Sequence, residues 1–190
     1  GLPSGKPEWI KAHQALKRKD IMYPSEHKQL FDFDVPFFDW EHDHPHVPAV
    51  DSNYRWRWDL LARLMWGIAY NKKPWVWGHT GTGKTTLVEQ VAAILNWPFQ
   101  RINFDSEITR MDLVGRDTLK TDGAGKTVSE FADGILPQAM SGPYIICNDE
   151  LDFVRSDIAY VYQRALEDKG LLLRYDGSEH VEKAVDYQPI

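Results

Sequence analysis

Residues Gly78-His-Thr-Gly-Thr-Gly-Lys-Thr85 follow the spacing G-x-x-x-x-G-K-[ST] without exception. The chemistry that needs this spacing is the binding of an anion. Glycines let the backbone curl so that successive N–H groups converge on phosphate oxygens, and a helix starting there turns the positive end of its dipole to the same point. Lys84 is placed to reach the β- and γ-phosphates, and the Thr85 hydroxyl to ligate magnesium. Gly78, His79, Thr80, Gly81, Thr82, Gly83 and Thr86 complete the expected ATP-binding set. A chance match would occur in roughly 1% of unrelated chains of this length. The context lowers that further, because a strand at Trp75-Val-Trp77 and an amphipathic helix after the loop are what the motif requires.

A loop that holds ATP does not by itself cleave it. In Pro143-Tyr-Ile-Ile-Cys-Asn-Asp-Glu150 an apolar run ends in two acids. At the C-terminal end of a buried strand such acids face the ligand crevice of an α/β sheet. Asp149 is the expected magnesium holder, through water, and Glu150 the expected catalytic residue that orients and polarises the attacking water. Asn148 is polar at a position where an apolar residue is usual.

The elements that must carry these groups can be read from hydrophobic spacing. Leu60, Leu61, Leu64, Met65 and Ile68 recur at helical intervals behind a cap at Asp51, Ser52 or Asn53. Leu87, Val88, Val91, Ile94 and Leu95 mark a helix from Thr85 to Leu95, and Phe99 to Phe104 reads as a strand. A short helix is expected from Ser106 to Leu113, stopping near Gly115. Asp117 to Phe131 reads as a hairpin around Asp122-Gly-Ala-Gly125. A buried strand at Tyr144 to Cys147, a helix from Ser156 to Lys169 ended by Gly170, and a strand opening at Leu171 to Arg174 follow. Strands alternating with helices predict an α/β fold with a mainly parallel sheet flanked by helices, the P-loop NTPase arrangement. Residues 1–50 read differently, with a helix over Pro7 to Lys19 presenting Trp9, Ile10, His13 and Leu16. An aromatic and acidic run from Phe31 to Trp40 follows, broken by prolines at 36, 45 and 48. This segment is expected to be an arm lying on the partial ATP-binding core of residues 51–190.

Bulk properties set limits. A chain of 190 residues, 43% hydrophobic, can bury a sizeable core. A net charge of -6 argues against wholesale nucleic-acid binding, and Lys17-Arg-Lys19 reads as a solvated helix end. No apolar stretch approaches the roughly 20 residues of a membrane span, and nothing resembles a signal peptide. The single Cys147 reads as a buried, inert thiol, so a soluble, reducing, cytoplasmic setting is expected. Eight tryptophans read as core and interface. Glu41-His-Asp-His-Pro-His46 has the donors for zinc, nickel or cobalt, but Pro45 and the irregular setting favour an exposed polar linker.

The residues around the loop carry a resemblance to the AAA+ ATPases, within them to the MoxR-type branch, and most closely to the ATPase subunits of aerobic cobaltochelatases. The similar segments include Val47 to Tyr54, Gly78 to Lys84, Leu95-Asn-Trp-Pro98, Asn103-Phe-Asp-Ser106, Asp112 to Asp117, Gly134-Ile-Leu-Pro137, Asp149-Glu150 and Gln163 to Glu167. The resemblance implies a homo-oligomeric ring, usually a hexamer, that uses MgATP to remodel a partner. For a chelatase the partner is a large subunit with an adhesion-type domain, and the hairpin would face the pore or that partner. A MoxR-type chaperone acting on another complex, or a nucleotide-binding module without turnover, are the alternatives. The sequence ends at Ile190, where the family's sensor strand would begin, so the expectation is ATP binding with poor hydrolysis by these residues alone. Arg155 and Arg164 could stand in for a trans-acting arginine, but structural ion pairs are the expected role of both.

Overall fold

A computed structural model describes residues 4–79, 81–104, 107–166, 171–173 and 180–182. The chain divides into two compact units. Of the described residues, one comprises those up to Arg101 together with Tyr144–Cys147, the other those of Ile102–Pro143 and those after Cys147.

In the first unit, β1 (Gly5–Lys11) runs antiparallel to β2 (Asp34–Trp40), with Gly5 opposite Trp40 and Lys11 opposite Asp34. Between them lie α1 (Ala12–Arg18) and a 3-10 turn, Ser25–Phe31. The helix expected over Pro7 to Lys19 therefore begins only at Ala12. Pairing with β2 takes the first half as a strand, so Trp9 lies 56% exposed while Ile10 is buried. Pro36 does not break the aromatic run either. It sits inside β2, whose Val35, Pro36, Phe37 and Phe38 are all buried.

Helix α2 (Trp58–Ala69) starts later than the cap at Asp51 to Asn53 predicts. Asp51 instead closes a local turn: its carboxylate accepts from the Asn53 N–H at 2.8 Å and its carbonyl from the Tyr54 N–H at 3.1 Å. Such side-chain-to-backbone bonds compete with helix formation. Helix α3 (Lys84–Leu95) fits its prediction, burying Leu87, Val91, Ile94 and Leu95, with Val88 half-buried.

The arm is fastened to the end of α3. Asn96 takes the left-handed conformation (φ 59°) that commonly ends a helix. Its Nδ2 donates to the Phe38 carbonyl at 2.8 Å, its Oδ1 accepts from Lys19 Nζ at 2.8 Å, and its carbonyl accepts from Trp40 Nε1 at 2.8 Å. Burial holds the Lys19 pKa below its ordinary value, opposed by Asp43. Next to it, the buried Trp97 donates Nε1–H to the Pro36 carbonyl at 2.7 Å and meets the Phe38 ring edge-on at 4.7 Å.

Strands β3 (Phe99–Asn103) and β6 (Ile145–Asp149) form a parallel pair, giving a mixed α/β fold with a parallel sheet and flanking helices. The strand expected at Trp75-Val-Trp77 is absent. Residues 72–79 form no regular element, and Trp75 and Trp77 are 68% and 89% exposed. A parallel-sheet strand needs cover on both faces, which these side chains lack. The tryptophans thus split: Trp97 is core, whereas Trp9, Trp66, Trp75 and Trp77 are exposed.

In the second unit, α4 (Arg110–Val114) is capped by reciprocal bonds between Thr109 and Asp112. The Asp112 carboxyl is held below its ordinary pKa by the Thr109 hydroxyl and N–H. Ser106, where this helix was expected to start, lies outside the described residues. A hairpin follows as predicted, β4 (Gly115–Thr121) against β5 (Thr127–Asp133). The Asp122 carboxylate accepts from the Ala124 and Lys126 N–H groups to close its turn. Both faces of the hairpin are largely exposed, with Leu119 77% so. Its root is steric: a Cβ on Gly115 (φ 126°) would stand 2.3 Å from the Ala132 carbonyl oxygen, and one on Gly134 2.6 Å from the Leu113 carbonyl.

Helices α5 (Ile135–Met140) and α6 (Ser156–Leu166), with β7 (Leu171–Leu173) against β8 (His180–Glu182), complete the unit. The expected helix end at Lys169 to Gly170 and the strand residue Arg174 lie outside the described residues.

Because Asn96 bonds groups from two other segments, Asn96→Ala should cost about 2 kcal/mol by removing its bonds to the Phe38 carbonyl and the half-buried Lys19. Asn96→Gly keeps the left-handed backbone without the bonds and should recover only part of that. Urea unfolding midpoints of the three proteins check both statements.

Candidate functional site

The phosphate-loop motif lies wholly in the first unit. Gly81 and Gly83 have φ of 80° and 79°, the left-handed region that only glycine enters freely. Gly83 is the N-cap of α3, so the first N–H groups of that helix open onto the loop. Lys84, the first helical residue, folds its side chain back: Nζ donates to the carbonyls of Gly78 and His79, the latter at 3.1 Å. Thr82 Oγ1 donates to the same His79 carbonyl at 2.8 Å. Gly78, Lys84 and Thr85 are half-buried, while His79, Gly81, Thr82, Gly83 and Thr86 are exposed. Thr80 lies outside the described residues. The described loop residues therefore bring together two left-handed glycines, an ammonium on the Gly78 and His79 carbonyls, and the start of a helix. A polyanion is the ligand class such a cradle fits.

The acidic pair lies in the second unit. Asp149 ends β6 and its carbonyl accepts from the Phe104 N–H at 3.0 Å. Glu150 has φ 56° and ψ 37°, a conformation uncommon for a residue with a Cβ. Its N–H donates to Asp149 Oδ1 at 3.1 Å, and a 3-10 turn, Leu151–Phe153, follows at once. Backbone held in such a region concentrates at functional sites. The sequence reading found both acids but not this geometry. Both are half-buried, as is Cys147, which sequence patterning places deeper in the core. Arg155 is paired with Asp157 through two bonds of 3.2 and 2.9 Å, the structural role expected for it. The Arg164 side chain lies outside the described residues.

Residues 75–188 match the AAA domain, dynein-related subfamily. The chain belongs to this AAA family. AAA domains bind nucleotide, generally with magnesium, and the cradle of Gly78 to Thr85 falls inside the matched residues. The chain is 43% identical over 133 residues to the aerobic cobaltochelatase subunit CobS of Sinorhizobium sp, covering 70% of this chain and 40% of that protein. It is also 30% identical over 97 residues to an uncharacterized protein of Staphylococcus haemolyticus, covering 51% of this chain and 37% of that one. A Staphylococcus aureus protein, likewise uncharacterized, is 29% identical over the same length. The matched stretch is thus about two fifths of the length of these relatives.

The histidine-rich segment lies N-terminal to the AAA match, and it is an exposed linker except at His44. His44 is buried, its ring tilted against Trp40 at 4.7 Å and edge-on to His46 at 5.6 Å. Its Nδ1 accepts from the His46 N–H at 3.2 Å, which places the proton of the neutral ring on Nε2. His46 Nδ1 bonds the Tyr144 hydroxyl at 2.6 Å. His42 takes no part in these contacts and is exposed. Among the described residues no three His, Cys, Asp or Glu side chains converge as a metal site. Glu41, His42, Asp43, Pro45 and His46 are exposed, as a polar linker predicts, and the segment is fastened at two points: the buried His44 and the His46–Tyr144 bond.

Burial, and next the neighbouring His46, hold the His44 pKa below its ordinary value, and burial raises that of Tyr144. A histidine with a depressed folded pKa binds protons more readily in the unfolded chain. Its contribution is complete above the unfolded value of about 6.5 and is lost as pH falls towards the folded one. Urea midpoints should accordingly drop between pH 7.5 and pH 5. His44→Asn, which keeps an acceptor near the Nδ1 position but does not titrate, should flatten that slope.

Proposed function

We propose that this chain binds MgATP on Gly78 to Thr85 and hydrolyses it as the motor part of an AAA ring that remodels a partner subunit, in the manner of a cobaltochelatase ATPase subunit. The loop carries the reading: left-handed glycines, a lysine ammonium already held by loop carbonyls, and a helix N-terminus within one AAA-matched stretch. The similarity to CobS supplies the class of process.

On this reading phosphate oxygens take over from the Gly78 and His79 carbonyls as partners of Lys84, and the loop N–H groups complete the cradle. Thr85 and Asp149 are the residues that would hold magnesium, which neutralises charge developing on the transferred phosphoryl group. Glu150 orients and polarises the attacking water. Its carboxylate follows a backbone turn that its own N–H bond to Asp149 helps to fix. A trans-acting arginine, worth roughly 10³–10⁵ in turnover in related NTPases, would come from a neighbouring copy. The hairpin Gly115–Asp133, rooted by two glycines and exposed on both faces, is the segment offered to a partner. No helix among the described residues is long and apolar enough to cross a membrane, and the net charge of -6 is poorly suited to nucleic acid, in keeping with a cytoplasmic assembly.

Two variants separate binding from turnover. Lys84→Ala should weaken binding of a fluorescent ATP analogue by about 100-fold or more, a loss of about 3 kcal/mol. Glu150→Gln should bind it like the wild type yet release phosphate at least about 100-fold more slowly when mixed with the large chelatase subunit. Wild-type binding by Lys84→Ala would refute the loop assignment. Undiminished phosphate release by Glu150→Gln would refute the catalytic one.

A further inference from the structure

The second unit contains a polar contact that the proposed chemistry does not use. Tyr162 on α6 is only 4% exposed, and its hydroxyl donates a hydrogen bond to Oδ1 of Asn148 on β6. Asn148 directly precedes the Asp149–Glu150 pair. The Tyr162 ring also meets the ring of Phe104 edge-on at 5.5 Å, and the Phe104 N–H is the group that donates to the Asp149 carbonyl at 3.0 Å. Tyr162, Asn148, Asp149 and Phe104 thus form a closed circuit of contacts around the end of β6.

We propose that Tyr162 is a positioning residue for the Asp149–Glu150 pair, acting through Asn148; this rests on the reading of that pair as the magnesium and water site. The physical case begins with cost. A buried phenol is unfavourable unless its hydroxyl finds a partner, and the half-buried Asn148 supplies one here. What the pair adds is register. Side chains alternate along a strand, so a slip of one residue in β6 would turn Asp149 to the opposite face. Only one alignment of β6 brings the Asn148 amide to the Tyr162 hydroxyl and the Asp149 carbonyl to the Phe104 N–H together. Glu150 leaves the strand immediately in a left-handed turn, with its N–H on Asp149 Oδ1. Any rotation at Asp149 is therefore passed to Glu150, and a fixed residue 148 holds both.

The test compares the affinity of the full chain for a fluorescent ATP analogue in magnesium and in EDTA. The ratio of the two affinities reports the magnesium site and is insensitive to a modest loss of stability. Asp149→Ala should abolish the magnesium enhancement. Tyr162→Phe, which keeps the ring and its packing on Phe104, should reduce the enhancement at least about threefold with the EDTA affinity unchanged. Asn148→Ala should match it, and the double variant should be no worse than either single one, as expected of residues acting through one bond. An enhancement retained by Tyr162→Phe but lost by Asp149→Ala overturns the positioning role alone, even where the melting temperature falls. No enhancement in the wild type, or one that Asp149→Ala leaves intact, overturns the site reading and this proposal with it.

Discussion

Helix α3 is the member on which the first unit depends, and its two ends are held by the same backbone device. Gly83 at one end and Asn96 at the other both take the left-handed conformation, with φ of 79° and 59°. At the N-terminal end the turn opens the first N–H groups of the helix towards the loop. At the C-terminal end it frees the Asn96 side chain to bond the arm. A helix that merely packed by its apolar stripe could slide or rotate by a fraction of a turn. The bonds of Asn96 to Phe38 and Lys19, with Trp97 locked on Pro36, remove that freedom. The loop is then presented from a helix whose axial position is set by its far end, about 18 Å away for twelve residues at 1.5 Å each.

This gives residues 4–40 a purpose beyond cover. Their buried side chains, Leu16, Phe31, Val35 and Phe38 among them, form much of the apolar surface on which α2 and α3 rest. The polar joint at His44, His46 and Tyr144 continues that attachment to the start of β6. A short parallel pair such as β3 and β6 exposes much apolar surface, and segments folded over the helices are one way to bury the remainder.

How legible all this was depends on the range of the interactions involved. Helix α3, the Gly115–Asp133 hairpin and the β3 strand were readable because each depends on apolar periodicity or on a turn closed within a few residues, as Asp122 closes its own. The first strand was not readable. Pro7 to Lys11 becomes β1 only because residues about thirty positions later supply a partner. The start of α2 was misplaced for the opposite reason, since Asp51 spends its capping oxygen on a nearer turn. The His44 cluster resembled a metal site because composition records donors and not their directions. In the structure Nδ1 of His44 accepts from a backbone N–H and Nδ1 of His46 faces a phenol, and among the described residues no three such donors converge.

The phosphate loop shows the same division inside a single motif. Its shape is written in bonds of short sequence span: Lys84 to Gly78 and His79, Thr82 to His79, and glycines free to take positive φ. None of these needs the strand that Trp75 to Trp77 was expected to supply, and the loop is curled although residues 72–79 form no regular element. The motif therefore encodes its own concavity, and a preceding strand would contribute placement rather than shape. At the acidic pair the balance is reversed. A strand ending in two carboxylates has no local preference for the direction in which they point. The backbone that carries them is held by residues outside the strand: the Phe104 N–H on the Asp149 carbonyl and the Tyr162 hydroxyl on Asn148. A glycine-rich loop can thus be recognised from eight residues, whereas an acidic pair becomes a defined site only through the packing that surrounds it.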